Sequence, residues 1–268
     1  MLSLTFAEEE WLKSFAALAL EDFPLIKAGD DIAKMIVGVA SKNGLELEDG
    51  DVMAVAQKIF SKAEGRVVKL GEVVPSGRAE KLAEVVGKSA KLIELVLRET
   101  KTVVKASRET LLVEDKHGLI CINAGIDKSN VQGRNNLALL PEDPDRSAEK
   151  CRLEIRELTG KNVAVIICDT YSRPFRRAQV NFAIGFAGLR PFRDYRGKKD
   201  LFGQILKVKN IAVVDEIAAS AELLMGQGNE ARPVVIFRGL GDVVAGCEKH
   251  GVEDLYMPRE EDLFKGTL

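Results

Sequence analysis

The segment Val163-Ala164-Val165-Ile166-Ile167-Cys168 decides the fold. It is short, wholly apolar and bounded by Gly160-Lys161-Asn162 before it and Asp169-Thr170 after it, which predicts a buried strand. Just upstream, Asp143-Pro144-Asp145 opens a predicted helix that runs through Leu158 and closes at Gly160. Downstream lies a long Arg- and Gly-rich segment from Asp169 to Gly203. A strand near Ile205–Val214, a helix over Asp215–Met225 and a strand over Val234–Phe237 follow, then a tail of irregular structure and short helices. Toward the N-terminus, strands are predicted at Leu119–Asn123, Leu111–Glu114 and Thr102–Lys105, preceded by amphipathic stretches at Ala90–Arg98 and Arg78–Val86. Before these come a buried strand at Val52–Ala56 and a helix capped by Asp30 or Asp31, with Ile32, Met35, Ile36 and Val39 on one face and Gly44 at its end. Residues Glu8–Leu20, with Trp11, Phe15 and Leu18 at helical spacing, read as a short helix or an N-terminal appendage. Strands cluster instead of alternating strictly with helices, so the pattern favours a mixed α+β fold over a doubly wound sheet.

Composition narrows the chemistry. The 268 residues carry 39 Lys and Arg against 41 Asp and Glu, a formal charge of −2, with only two His and four Cys. No basic excess marks a general nucleic-acid binder. A His-rich zinc site is excluded, and oxygen ligands for Mg²⁺, Mn²⁺ or Ca²⁺ are favoured. The cysteines form no CxxC, and Cys121 and Cys168 lie in apolar runs, as expected of buried thiols in a reduced, cytoplasmic protein. No secretory leader or membrane-spanning run is read in the chain. His117 and His250 each sit in a Lys-His-Gly turn and read as exposed turn residues.

Among phosphate-binding motifs, the P-loop pattern is absent. Gly226–Ala231 matches GxGxxA on paper, but it follows a helix and precedes a strand, the wrong order for a dinucleotide fingerprint. The acids at strand ends are more informative. Asp169 and Thr170 directly follow the buried strand, and Asp127 sits in the loop after Leu119–Asn123; jointly they suit a divalent cation, though each acid alone also reads as a cap or turn residue. Lys58, Lys62 and Arg66 fall within one segment after Val52–Ala56, and Arg173, Arg176 and Arg177 closely follow Asp169, with Arg190, Arg193 and Arg196 beyond. Clustered cations beside strand-end acids suit phosphate bound with metal, against the alternative of a solvated basic face.

Taken together, these segments resemble the coenzyme F420-0:gamma-glutamyl ligase family. The likeness is carried in order by Pro24–Ala33 (PLIKAGDDIA), Leu45–Arg66 (ending QKIFSKAEGR), Lys91–Thr100, Asn123–Val131 (NAGIDKSNV), Leu139–Ala148, Val163–Arg177 (VAVIICDTYSRPFRR), Ala183–Gly203 (ending RDYRGKKDLFG), Val214–Gly226 and Val234–Leu240. The resemblance implies a GTP- and metal-dependent ligase that couples L-glutamate to F420-0 through an acyl phosphate, giving F420-1 and in some members F420-2. It implies a two-lobed fold in a butterfly-shaped homodimer, two Mg²⁺ or Mn²⁺ sites and K⁺, with neither nucleic acid nor membrane as a partner. Residues 1–22 would be an appendage and 23–268 the ligase domain of two intertwined lobes.

By motif, Asp127 and Asp169 would hold one metal, and Thr170 and Gln227 would fall at the second. Asp127, Asp169 and Arg173 would be catalytic. GTP would be met by Phe23, Pro24, Leu25, Ile26, Gln57, Lys58, Lys62, Asn130 and the loop Met225, Gly226, Gln227, Gly228, Asn229, Glu230, Ala231 and Arg232. The chain departs from the family pattern at Ser172 and Ala178, where Gly is usual, and at Gln227, where some members carry an acid. It also starts earlier than usual and ends without the nitroreductase-like extension of bifunctional relatives. Alternatives left open are a related ligase with another acceptor, a non-catalytic nucleotide-binding homologue, a metal-dependent phosphatase and an RNA binder.

Overall fold

The computed structural model describes residues 13–244, 250–258 and 260–262. In chain order its elements are β1 (Ala16–Ala19), α1 (Ile32–Lys42), β2 (Val52–Ala56), α2 (Gln57–Ala63), β3 (Val67–Lys69), α3 (Gly77–Val86), α4 (Ala90–Arg98), β4 (Thr100–Ser107), β5 (Thr110–Asp115), β6 (Ile120–Ile122), β7 (Asn136–Ala138), α5 (Pro144–Thr159), β8 (Ala164–Ser172), β9 (Gln179–Ala187), β10 (Phe192–Asp194), β11 (Asn210–Ala212), α6 (Val213–Met225) and β12 (Val234–Arg238). This is a mixed α/β fold with mixed and antiparallel sheets.

The central sheet has the order β1-β12-β2-β8-β9, and only the β2–β8 pair is parallel. Its three inner strands carry the densest apolar runs because both faces are covered. Successive side chains alternate between two cores. Met53, Val55, Val165, Ile167, Val234 and Ile236 pack with Ile36 of α1 and Ile155 of α5, whereas Val52, Ala54, Ile166, Cys168, Val235 and Phe237 pack with Val214, Ile217 and Ala221 of α6. The sheet is therefore held between α1 and α5 on one side and α6 on the other.

The caps follow their sequence signals. Asp31 caps α1 by accepting a hydrogen bond from the Lys34 amide, and Asp143 caps α5 by accepting one from Arg146 with Pro144 in the first turn. Gly160 closes α5 in the left-handed region at φ 74°. Cys121, Cys151 and Cys168 are buried free thiols; Cys247 lies outside the described residues.

Three expectations are corrected. The Glu8–Leu20 helix does not extend over its described part: Ala16–Ala19 is an edge strand paired antiparallel with β12, and Phe15 packs beside Phe237 with ring centroids 6.0 Å apart. Pairing to an existing sheet overrides the helix preference of an Ala- and Leu-rich stretch; Trp11 lies outside the described residues. The strand near Ile205–Val214 shrinks to Asn210–Ala212, which pairs with β10, because Val213 already begins α6, while Ile205 makes just an isolated bridge with Lys199 and both Ile205 and Val208 are exposed. His117 sits in a turn as expected and His250 just precedes the short helical turn Val252–Leu255, but both are half-buried, and His250 lies 3.2 Å from Asp254.

The long Arg- and Gly-rich segment hides β9, which pairs along β8 to Ser172. Asp169 and Thr170 are thus inside a strand and not just beyond its end. The tip of this hairpin carries two non-glycine residues in the left-handed region, Phe175 at φ 59° and Ala178 at φ 66°. Ala178→Gly is expected to raise stability by about 1 kcal/mol, seen as a higher urea midpoint at unchanged slope. A lower midpoint would contradict the strain assigned to this residue.

Candidate functional site

A cleft of about 340 Å³ opens at the carboxyl end of the parallel pair β2 and β8. Parallel pairing stops at Ala56 opposite Cys168. Beyond that point β2 turns into α2, and β8 continues alone on that side with Asp169 and Thr170. The register of β8 against β9 also shifts between Ile167 and Cys168. Such an irregularity re-aims the following side chains, and here it lies immediately before the acid.

On α2, Lys58 and Lys62 are one turn apart and both line the cleft. Lys58 Nζ is 2.6 Å from Asp127 Oδ2 and donates to Ser129 Oγ at 2.6 Å. The Ser129 amide and hydroxyl both donate to the Asp127 carboxylate at 2.8 Å. Asp127 is fixed from behind by reciprocal backbone hydrogen bonds with Ala138, at 3.1 and 2.8 Å. Burial works against its charge, but Lys58 and Ser129 outweigh it and hold the carboxyl below its usual range.

Asp169 is in the opposite condition. Burial pushes its carboxyl up to about 7, with the Thr170 amide and the Lys58 charge pulling the other way and the Asp127 charge adding to the push. It is short of positive charge. Lys62 has a complementary deficit: burial, and then the charge of Lys58, lower its ammonium below the usual value, and it makes no ion pair among the described residues. Gln57 accepts from Ser61 Oγ at 2.6 Å, and its buried Nε2 makes no close hydrogen bond, although the amide helps to hold the charge of Asp169.

The far wall is the loop after α6. Gly226 takes φ 67°, and a β-carbon there would run into the Glu230 carboxylate, which accepts from the Gly228 amide at 2.8 Å. Asn130 Nδ2 donates to Gly228 O at 3.0 Å, the Phe23 amide donates to Ala231 O at 3.2 Å, and Arg232 lies 3.8 Å from Glu21. These ties draw the Phe23–Ile26 turn, Asn130 and the Met225–Arg232 loop to one opening. Every residue expected to meet GTP lines this cleft, as do Asp169, Thr170 and Gln227. Asp127 stands beside it, joined through Lys58.

The arginines go elsewhere. Arg66 bonds Leu140 O at 3.0 Å and Glu99 at 2.6 Å. Arg173 donates to the carbonyls of Arg177 and Ala178 in its own hairpin tip and does not line the cleft. Arg193 pairs with Asp242 and Arg196 with Asp194, at 2.8 and 2.7 Å. Cations facing the cleft are therefore Lys58, Lys62 and Arg232.

Three contributors escaped the sequence. Ser129 joins Lys58 to Asp127. Asn181 accepts from Thr170 Oγ1 at 3.1 Å. Glu222 meets the Gln227 amide at 2.9 Å. Glu222 precedes Met225 by three residues, so it shares the face of α6 that reaches the cleft, and this spacing was the available signal.

The donors near Asp127, Asp169, Thr170 and Glu222 are all oxygens, which suits Mg²⁺ or Mn²⁺. Among the described residues, no three His, Cys, Asp or Glu side chains converge closely enough to hold a metal by themselves. Water and phosphate oxygens would complete the shell, as Mg²⁺ favours. A larger concavity of about 620 Å³ between α1, α2 and α5 is lined by Asp30, Asp31, Glu64, Glu142, Asp143 and Glu154 against Arg146 and Lys150. That excess of carboxylates suits a phosphate poorly.

Fold and cleft together define a mixed α/β protein with an oxygen-rich, lysine-bearing site beside a parallel strand pair, a class apart from both P-loop and dinucleotide-binding folds. Comparison with known proteins carries this further. The family F420-0:Gamma-glutamyl ligase matches residues 22–239. The coenzyme F420:L-glutamate ligase of Methanothermobacter thermautotrophicus is 44% identical over 93% of this chain and 98% of its own length. Enzymes of the same name from Archaeoglobus fulgidus and Methanocaldococcus jannaschii are 47% and 41% identical, covering 93% and 91% of this chain and 96% and 94% of their own lengths. The chain belongs to the F420-0:gamma-glutamyl ligase family.

Proposed function

We propose that the chain is a ligase of coenzyme F420 biosynthesis that couples L-glutamate to F420-0 at the cost of GTP, with Mg²⁺ or Mn²⁺ at two sites and K⁺ assisting. The observation that carries the nucleotide reading is the meeting of an unpaired Lys62 and an under-compensated Asp169 in one cleft. Each lacks what a metal-bound phosphate chain supplies: the lysine lacks an anion, and the carboxylate lacks a cation.

The chemistry follows from the acceptor. A carboxylate is a poor acylating group at neutral pH, because an oxide-like oxygen would have to leave. A carboxylate oxygen of F420-0, that of its lactyl group, attacks the γ-phosphorus of GTP; the new O–P bond forms as the Pβ–O–Pγ bridge breaks, releasing GDP. The glutamate amine then attacks the acyl carbon, loses a proton, and phosphate departs with its C–O bond. Divalent metal supplies charge neutralisation for the phosphate oxygens. Asp127, Asp169 and Thr170 would hold it, and Lys58 and Lys62 would pair with phosphate. Positioning and charge carry the rate, so neither His is needed. Under the same proposal the enzyme is a butterfly-shaped, cytoplasmic homodimer whose residues 23–268 form two intertwined lobes. No helix among the described residues is long and apolar enough to cross a membrane.

Phosphate release tests the reading. GTP is expected to turn over only when both glutamate and F420-0 are present. Hydrolysis independent of glutamate would indicate a phosphatase, and GTP binding without release would indicate a non-catalytic homologue.

A further inference from the structure

Asn123, Ala124 and Gly125 take φ 54°, 53° and 67°, the one run of successive left-handed residues among those described. Residues visit this region singly as a rule, Gly at no cost, Asn at little, and Ala against a steric penalty. A run of three is therefore held by its surroundings, and strain of this kind gathers where a site needs a side chain fixed. Ala124 is buried, and a β-carbon on Gly125 would come within 2.7 Å of the Leu140 side chain, so the turn is wedged against the core. Asp127 follows Gly125 by two residues. Only Ile126 lies between them, and its amide donates to Asn123 O at 3.1 Å. The Asn123 side chain has a partner from a distant part of the chain: Lys88 Nζ donates to Asn123 Oδ1 at 3.2 Å. Lys88 stands between Gly87, which closes α3 at φ 72°, and Ser89, which precedes α4. It makes no ion pair among the described residues, and burial, partly offset by the charge of Glu109, lowers its ammonium below the usual value. A half-buried cation bonded to a neutral amide is costly to place unless the bond does something else.

We propose that Lys88 is a positioning residue for the ligation reaction: through Asn123 it holds the left-handed turn that sets Asp127 beside Lys58. The assignment rests on the reading of Asp127 as a metal-holding carboxylate. It gives α3 and α4, which supply no residue to the lining of the cleft, a part in the site. Without the ammonium, the turn is free to relax toward conformations that Asn123 and Ala124 favour. Asp127 would then keep its backbone bonds to Ala138 but lose the fixed approach from the upstream side.

The test compares Lys88→Met, which keeps the length of the side chain and removes its charge, with Lys88→Arg, which can still donate to Asn123. Hydrogen–deuterium exchange on the full chain, free of metal and nucleotide, reads the turn itself. In Lys88→Met the amides of Ile126 and Asp127 should exchange about 10-fold faster or more, with the central sheet unchanged. Mn²⁺ binding in the presence of a non-hydrolysable GTP analogue reads the consequence. Its Kd is expected to rise about 10-fold in Lys88→Met and to return toward the unaltered value in Lys88→Arg. Unaltered exchange at Ile126 and Asp127 in Lys88→Met would overturn the assignment. Faster exchange with Mn²⁺ affinity unaltered would overturn it too, since Lys88 would then support stability alone. An unaltered protein that binds no Mn²⁺ with the nucleotide would overturn the metal reading of Asp127, whereas exchange would still decide whether Lys88 holds the turn, so the two failures are distinguishable.

Discussion

Replacing Asp169 with Asn is expected to leave the fold intact and lower glutamate-dependent GTP turnover by about 10²-fold or more, which corresponds to roughly 3 kcal/mol of lost transition-state stabilisation. Asn matches Asp in shape, so the packing of β8 between β2 and β9 is not disturbed. Burial already pushes the Asp169 carboxyl up to about 7. The protein thus keeps a carboxylate where a neutral side chain would be more comfortable, and removing its charge should not weaken folding. What is lost is the anion that faces Lys58 and completes an oxygen-rich site. Turnover and thermal unfolding, measured on the same preparation, separate the two effects. Near wild-type turnover would remove Asp169 from the mechanism, and a collapse of stability would mean that its role is structural.

The second large effect concerns packing. A β-carbon at Gly185 of β9 would strike Pro144 and the backbone of Asp145, with the Pro144 carbonyl carbon at 2.6 Å and the Asp145 nitrogen at 2.8 Å. These atoms are backbone at the start of α5 and cannot turn aside as a flexible side chain would. The same turn is anchored by Asp145, whose carboxylate accepts from the amides of Phe186 and Val252 at 2.8 Å each. Gly185→Ala should push α5 off the sheet and strain both bonds. A loss of about 3 kcal/mol is expected, lowering Tm by roughly 6–12 °C. Gly38 is the control. It lies in the middle of α1 with no atom within 4 Å of an added β-carbon, so Gly38→Ala should stabilise by about 0.5–1 kcal/mol. Equal and small effects of the two substitutions would contradict the close packing of α5 on β9.

The sequence reading succeeded where local signals and tertiary packing agree. Val163–Cys168, the capped helices α1 and α5, and β2 and β12 all carry runs or caps that mean the same thing in isolation as in the fold. It failed where the partner decides. Ala16–Ala19 is helix-like in composition and becomes a strand only because β12 offers an open edge. Gln179–Ala187 is concealed by the arginines before it, although it forms the longest pairing of the central sheet.

The site divides in the same way. Asp169 after an apolar strand, and Lys58 and Lys62 one turn apart on α2, are legible because their backbone elements are. The arginines are less legible, because sequence proximity to Asp169 says nothing about direction: Arg173 turns back to its own hairpin, and Arg196 pairs with a neighbouring Asp194. Glu222 went unread because a Glu on an amphipathic helix looks like any solvated residue until the Gln227 loop folds over it.

Mass spectrometry of F420-0 incubated with the protein, GTP, Mn²⁺ and L-glutamate tests the central claim most directly. The account predicts a product heavier by one or two glutamyl residues, formed only when GTP is present and accompanied by GDP. Unchanged F420-0 under these conditions, with the protein folded and GTP bound, would contradict it.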